Sequence, residues 1–138
     1  MRLYLDTSIL IRCVEGDTEE KSAALRWIDR AESAPGGTIV SSLLARAECL
    51  VKPVREEDLE LRRLFDMLFE QSGIVFLSVS DSILERATLI RAKYSLKMPD
   101  AIHIATALEA SCTAAVMRDD PMRKKGPIFG LPLLHILD

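Results

Sequence analysis

The chain has 138 residues, 49% of them hydrophobic and 28% charged, enough for one domain with a real core but not for two. A net charge of −3 gives no general attraction to polyanions, so nucleic acid would have to be met by a local basic patch. No apolar run approaches the roughly 20 residues that cross a bilayer, and the N-terminus lacks a signal-peptide layout; a cytoplasmic protein with no membrane partner is expected.

Leu3, Tyr4 and Leu5 read as a short buried strand that delivers Asp6, Thr7 and Ser8 at its C-terminal end. In an open α/β sheet ligands gather outside that edge, where the next helix begins with unpaired N–H groups. Asp6 or Ser8 serving only as the N-cap of a helix starting near Ile9 is the simpler alternative. Ile9, Leu10, Cys13 and Val14 share one helical face, and Gly16-Asp17 breaks the segment. Thr18 caps a second helix over 21–32, which Pro35-Gly36-Gly37 stops. Thr38, Ile39 and Val40 form a second strand.

Ser41 or Ser42 caps a third helix that carries Leu43, Leu44, Ala47, Leu50 and Val51 and ends before Pro53; Glu48 lies in its middle. A long helix over 55–71 follows, then a strand over 74–77. Ser80 with Asp81 caps a fifth helix reaching Tyr94. A sixth begins at Pro99, where a missing N–H is harmless, and runs to Leu108. Residues 113–117 and 133–137 read as the fourth and fifth strands. Cys13, Cys49 and Cys112 are odd in number and set among apolar neighbours, as small core residues in a reducing compartment rather than a disulfide frame or zinc site. Strands alternating with helices predict a parallel sheet covered on both faces.

Four acids fall where one sheet edge can gather them: Asp6 after the first strand, Glu48 among small and apolar helix neighbours, Asp100 on the first turn of the sixth helix, and Asp119 after the fourth strand. Carboxylates held close repel and raise one another's pKa. A divalent cation relieves that repulsion, and hard oxygen ligands favour Mg²⁺ or Mn²⁺. No glycine-rich phosphate loop, nucleophile elbow or His-rich zinc pattern offers a rival chemistry. His103, one turn after Asp100 and flanked by Ile102 and Ile104, reads as a core residue or a support behind the acids in preference to a ligand.

Leu-Asp-Thr-Ser at 5–8, Ala-Glu-Cys-Leu at 47–50 and Pro-Asp-Ala-Ile-His-Ile-Ala-Thr-Ala at 99–107 resemble, in that order, the motifs of PIN domains, and specifically of VapC-type toxins from bacterial toxin–antitoxin pairs. The resemblance spans 1–138 as a single PIN-like domain. It implies a three-layer α/β/α sandwich around a central, mostly parallel sheet of four to five strands. It further implies a Mg²⁺- or Mn²⁺-dependent endoribonuclease that cuts single-stranded or looped RNA. Asp6, Glu48, Asp100 and Asp119 would be its catalytic acids. Asp6 and Asp100 would hold the metal, with Glu48 and Asp119 as further ligands, Asp120 as the alternative fourth acid, and Thr7 or Ser8 as hydroxyl support. After the fourth strand Arg118 stands where the family has a small polar residue, Pro121 where it has a second acid, and Met122 where it has an aromatic. Arg118, Arg123, Lys124 and Lys125 are the candidate RNA-binding cations, a solvated basic loop being the alternative. The implied partners are a second copy of the chain and a VapB-like antitoxin that sends an Arg into the acidic pocket, the helices around Trp27 and around Phe65 and Phe69 supplying its groove. A PIN-fold RNA- or protein-binding module with weakened catalysis is the competing reading, and the altered segment at 118–122 is what favours it.

Overall fold

Five strands, β1 (Arg2–Leu5), β2 (Thr38–Ser42), β3 (Val75–Leu77), β4 (Ala114–Met117) and β5 (Leu133–His135), form one sheet in the order β3-β2-β1-β4-β5. Every strand pairing is parallel. The structure, a computed structural model, describes the backbone of residues 1–138 and every side chain except that of Asp120. Seven helices complete the chain: α1 (Thr7–Glu15), α2 (Thr18–Ser33), α3 (Leu43–Arg55), α4 (Leu59–Gln71), α5 (Asp81–Tyr94), α6 (Met98–Glu109) and α7 (Asp120–Arg123). Among the described residues no helix is long and apolar enough to cross a membrane.

The two-residue period of the strands explains the layers. Leu3 and Leu5 point into one core with residues of α1, α2, α3 and α4, while Tyr4 between them enters a second core with α5 and α6. In β4 the same alternation sends Ala114 and Val116 one way, and Ala115 and Met117 the other. A sheet apolar on both faces is stable only when helices cover both. Each fully buried leucine on it contributes roughly 2 kcal/mol relative to exposure. Cys13 and Cys49 are buried, unpaired thiols, small core residues as the sequence suggests.

Strand β1 is central, with β2 on one side and β4 on the other. The chain therefore changes direction across the sheet beside β1, and the crevice at its C-terminal end is the usual place for a ligand in such a sheet. The Asp6 N–H reaches the Val116 carbonyl at 3.4 Å, continuing the ladder one residue beyond β1 and fixing Asp6 at the edge. Helix α6 is buried on nearly all sides from Ala101 to Ala107, the mark of a central helix rather than an amphipathic surface one. Thr106 Oγ1 meets its need by donating to the Ile102 carbonyl at 2.7 Å.

Several boundaries differ from the sequence expectation. Helix α3 does not stop before Pro53 but carries it to Arg55. A proline in the last turn removes only one of the final hydrogen bonds, so the helix tolerates it there. The real break is Glu57, in the left-handed region with φ 52°, and α4 starts at Leu59 under an Asp58 cap. Asp17 rather than Thr18 caps α2 through a 2.8 Å bond from the Glu20 N–H. Helix α6 begins one residue earlier, at Met98. Strand β5 ends at His135, where the Asp138 N–H closes a turn on the His135 carbonyl at 2.9 Å. Helix α7 has only four residues, too few for any periodicity to announce it.

Candidate active site

Asp6 follows the central strand and is 6% exposed. Its Oδ1 accepts from the Ser8 hydroxyl at 2.6 Å and from the Ile9 N–H at 3.3 Å, so the cap expected from sequence is real. A cap alone does not account for its electrostatics. Burial pushes the carboxyl up to about 6, against the hydrogen bonds from Ser8 and the Ile9 N–H, and the charge of Asp100 adds to the rise. Ser8 Oγ in turn accepts from the Arg118 N–H at 3.2 Å, which ties the start of α1 to the segment leaving β4.

Glu48 enters from α3 and meets the first turn of α1 and the middle of α6. Its Oε1 accepts from Thr7 Oγ1 at 2.5 Å and lies 3.1 Å from His103 Nε2. Those contacts hold the carboxyl below its usual range, the His103 hydrogen bond first and the Thr7 bond helping, against partial burial. His103 is 4% exposed. Its Nε2 also sits 3.1 Å from Thr7 Oγ1, and its Nδ1 sits 2.6 Å from the Tyr4 hydroxyl. Tyr4, read from sequence only as a strand residue, is thus part of the polar cluster. Burial, with Asp6 nearby, drives its phenol well above the usual value, so it stays protonated.

Asp100, on the first turn of α6, is half-buried. Burial and then the charge of Asp119 raise its carboxyl, while Lys97 opposes. Asp100 and Asp119 line one cleft of about 290 Å³ with Lys97, Pro121, Met122 and Lys125. Asp119 itself is exposed, and its Oδ1 accepts from the Met122 N–H at 3.1 Å. Pro121 and Met122, two of the three departures from the family pattern, lie in a short helix for which Asp119 is the cap. The side chain of Asp120, the alternative fourth acid, lies outside the described residues.

The fold thus brings Asp6, Glu48 and Asp100 into one electrostatic neighbourhood and links Asp119 to it through Asp100. Among the described residues no three His, Cys, Asp or Glu side chains stand close enough to grip a metal ion. The donor chemistry nonetheless suits a hard divalent cation: the acids are all oxygen donors, and like charge contributes to raising both Asp6 and Asp100.

The basic residues are less uniform than their clustering suggests. Arg118 donates from Nε to Glu20 Oε1 at 2.7 Å, and Glu20 Oε2 is 3.0 Å from Arg12 Nε. Lys125 Nζ donates to the carbonyls of Tyr94 at 3.0 Å and Ser95 at 3.2 Å, closing the C-terminal end of α5. Lys124 is exposed, and Arg123 ends α7 half-buried. Lys97, absent from the sequence expectation, is exposed and lines the same cleft as Asp100. Its position just before Pro99-Asp100 was the available signal. For Tyr4 the signal was a phenol in a central strand, which needs a buried partner.

The PIN domain profile matches residues 3–126. No curated protein matches the chain. Among solved structures, the chain is similar to one from a toxin–antitoxin complex of Klebsiella pneumoniae, with 28% identity over 85% of this chain and 86% of that one, and a TM-score of 0.62. It has the fold of a chain of VapBC-1 from nontypeable Haemophilus influenzae, at TM-score 0.76 and 17% identity over 100% of both chains. A sarcin–ricin-loop-cleaving VapC toxin of Mycobacterium tuberculosis superposes at TM-score 0.69 with 16% identity, over 94% of this chain and 98% of that one. With most of its length matched by the profile and its acids at the C-terminal edge of a parallel sheet, the chain belongs to the PIN domain family.

Proposed function

We propose that the chain is a metal-dependent endoribonuclease and the toxin of a toxin–antitoxin pair. The observation that carries this reading is the electrostatic coupling of Asp6, Glu48 and Asp100 at the carboxyl end of β1, with Glu48 fixed by Thr7 and His103. Asp6 and Asp100 would hold Mg²⁺ or Mn²⁺, with Glu48 and Asp119 as further ligands. The bound ion supplies a polarised water and neutralises charge on a phosphoryl oxygen. Burial and like charge raise both Asp6 and Asp100, and a bound cation would relieve that crowding of negative charge. Lys97 stands at the cleft to hold a flanking phosphate. A single-stranded or looped RNA can bend into so shallow a cleft where a duplex cannot.

The antitoxin would dock in the apolar groove of about 350 Å³ between α1, α2 and α4, lined by Val14, Leu25, Ile28, Leu64, Met67 and Leu68. The relative from Klebsiella pneumoniae comes from a toxin–antitoxin complex, which supports a partner of this kind. A second reading, an RNA- or protein-binding module with weakened catalysis, is favoured by one observation: the Asp119 carboxylate is engaged in capping α7. Cleavage of a broad RNA pool by purified, antitoxin-free protein separates the two. Cutting with Mg²⁺ or Mn²⁺ that disappears with chelator and in Asp6→Ala is expected. Folded protein that binds RNA under all these conditions without cutting it would leave the binding module.

A further inference from the structure

We propose that Tyr4 and His103 form a positioning relay: the Tyr4 hydroxyl locks the His103 imidazole in its Nε2–H tautomer, and that N–H fixes Glu48 through Oε1. The inference rests on the reading of Glu48 as a residue of the metal site, and it concerns two side chains that touch neither metal nor RNA.

The argument is one of donors and acceptors. Thr7 Oγ1 gives its only hydrogen to Glu48 Oε1 at 2.5 Å. Both atoms that face His103 Nε2, Thr7 Oγ1 and Glu48 Oε1, each at 3.1 Å, are then acceptors. A bare Nε2 lone pair there would confront an ionised carboxylate, so the hydrogen belongs on Nε2 and is shared between the two oxygens. At the other side of the ring the Tyr4 hydroxyl is 2.6 Å from Nδ1. The phenol has one hydrogen, and donating it to Nδ1 leaves the imidazole neutral with every ring atom satisfied. Neither partner needs water, because Tyr4 and His103 are 1% and 4% exposed.

The connection has an architectural point. Tyr4 belongs to β1, His103 to α6 and Glu48 to α3, so the relay joins the two helical layers around the carboxyl end of the central strand. All protein contacts to Glu48 end on Oε1 among the described residues. Oε2 therefore remains for a ligand, while Oε1 sets the carboxylate's rotation. Outer partners that orient ligands in this way are commonly worth about ten- to a hundredfold in metal affinity.

The test combines a spectroscopic signature with metal binding. Long-range ¹H–¹⁵N correlation spectra of the metal-free chain at neutral pH should show His103 protonated at Nε2 and bare at Nδ1. Tyr4→Phe, which leaves Nδ1 without its partner and frees the ring to turn, should weaken Mn²⁺ binding, followed by electron paramagnetic resonance, by about tenfold or more. His103→Gln, which can still present an amide N–H to Glu48, should bind Mn²⁺ better than His103→Leu. A proton on Nδ1 in the unsubstituted chain overturns the relay, and so does a Tyr4→Phe protein with the same Mn²⁺ affinity. Failure of the unsubstituted chain to bind Mn²⁺ would instead refute the metal-site reading, and the tautomer would still decide the relay.

Discussion

Arg118 is held by Glu20 through a 2.7 Å contact between Nε and Oε1, so its guanidinium is already engaged by a carboxylate. Glu20 also neighbours Arg12 at 3.0 Å, so one carboxylate restrains two cations. Glu20→Gln should therefore strengthen binding of single-stranded RNA severalfold at low salt, measured by fluorescence anisotropy in an Asp100→Asn background that does not cut. The salt slope should steepen by roughly 0.7 for each phosphate newly contacted. Stability should change by less than about 1 kcal/mol, since such partly exposed pairs contribute little. An unchanged salt slope would mean that Arg118 never reaches phosphate.

The raised carboxyl of Asp6 makes a signed prediction about pH. Its value rises from 3.8 to about 6 in the folded chain, so the native state binds the proton more tightly than the unfolded one. Protonation then favours folding. The contribution is full below about pH 4, declines as pH rises to about 6, and is flat above, with an upper magnitude of about 3 kcal/mol. Asp100, raised as well, acts in the same direction. The metal-free chain should accordingly melt higher at pH 5 than at pH 7. Added Mn²⁺ should raise the melting temperature more at pH 7, because protons compete for the same oxygens. The opposite order in either comparison would contradict the burial of Asp6 as a charge.

Asp6→Asn separates stability from function. Asparagine can still accept from Ser8 and the Ile9 N–H, and it is as good a helix cap, while the buried charge is gone. The variant should melt at the same temperature or higher in the absence of metal, and should lose Mn²⁺ binding and RNA cleavage together.

Asp100→Asn should abolish cleavage with the fold intact by circular dichroism. Asp119→Asn should reduce cleavage less than Asp6→Asn does, because Asp119 is exposed and its Oδ1 contact to Met122 survives in asparagine. Equal losses for the two would place Asp119 on the same footing as Asp6.

Lys125 and Lys97 should part company. Lys125→Ala removes two contacts to the end of α5 and should lower stability by about 1 kcal/mol, with little effect on RNA affinity. Lys97→Ala should weaken RNA binding at unchanged melting temperature.

Much of this arrangement can be read from residue order alone, and the exceptions share a cause. The strand at Leu3-Tyr4-Leu5, the acid after it, and the apolar run at 101–107 are local patterns, so the parallel sheet and the edge positions of Asp6 and Asp100 are visible in them, while Glu48, inside a helix, is singled out only by the resemblance. Contacts between distant residues are not visible. Nothing near Lys125 in the chain indicates that its ammonium would cap α5, and nothing near Glu20 points to Arg118. His103 could be weighed only as core or support until Tyr4 was found at its other nitrogen. The continuation of α3 through Pro53 was hidden for a different reason: a proline signals where a hydrogen bond is missing, not whether its loss falls in a helix's last turn.

The place of β1 between β2 and β4 also bears on how the protein comes into being. The first strand synthesised has its neighbours at 38–40 and at 114–116, so it waits unpaired on one side until most of the chain has been made. The edge that carries Asp6 stays open for that whole interval. Until β4 has been made, the chain thus carries its acids without their geometry, and on the proposed reading hydrolytic competence cannot precede that strand.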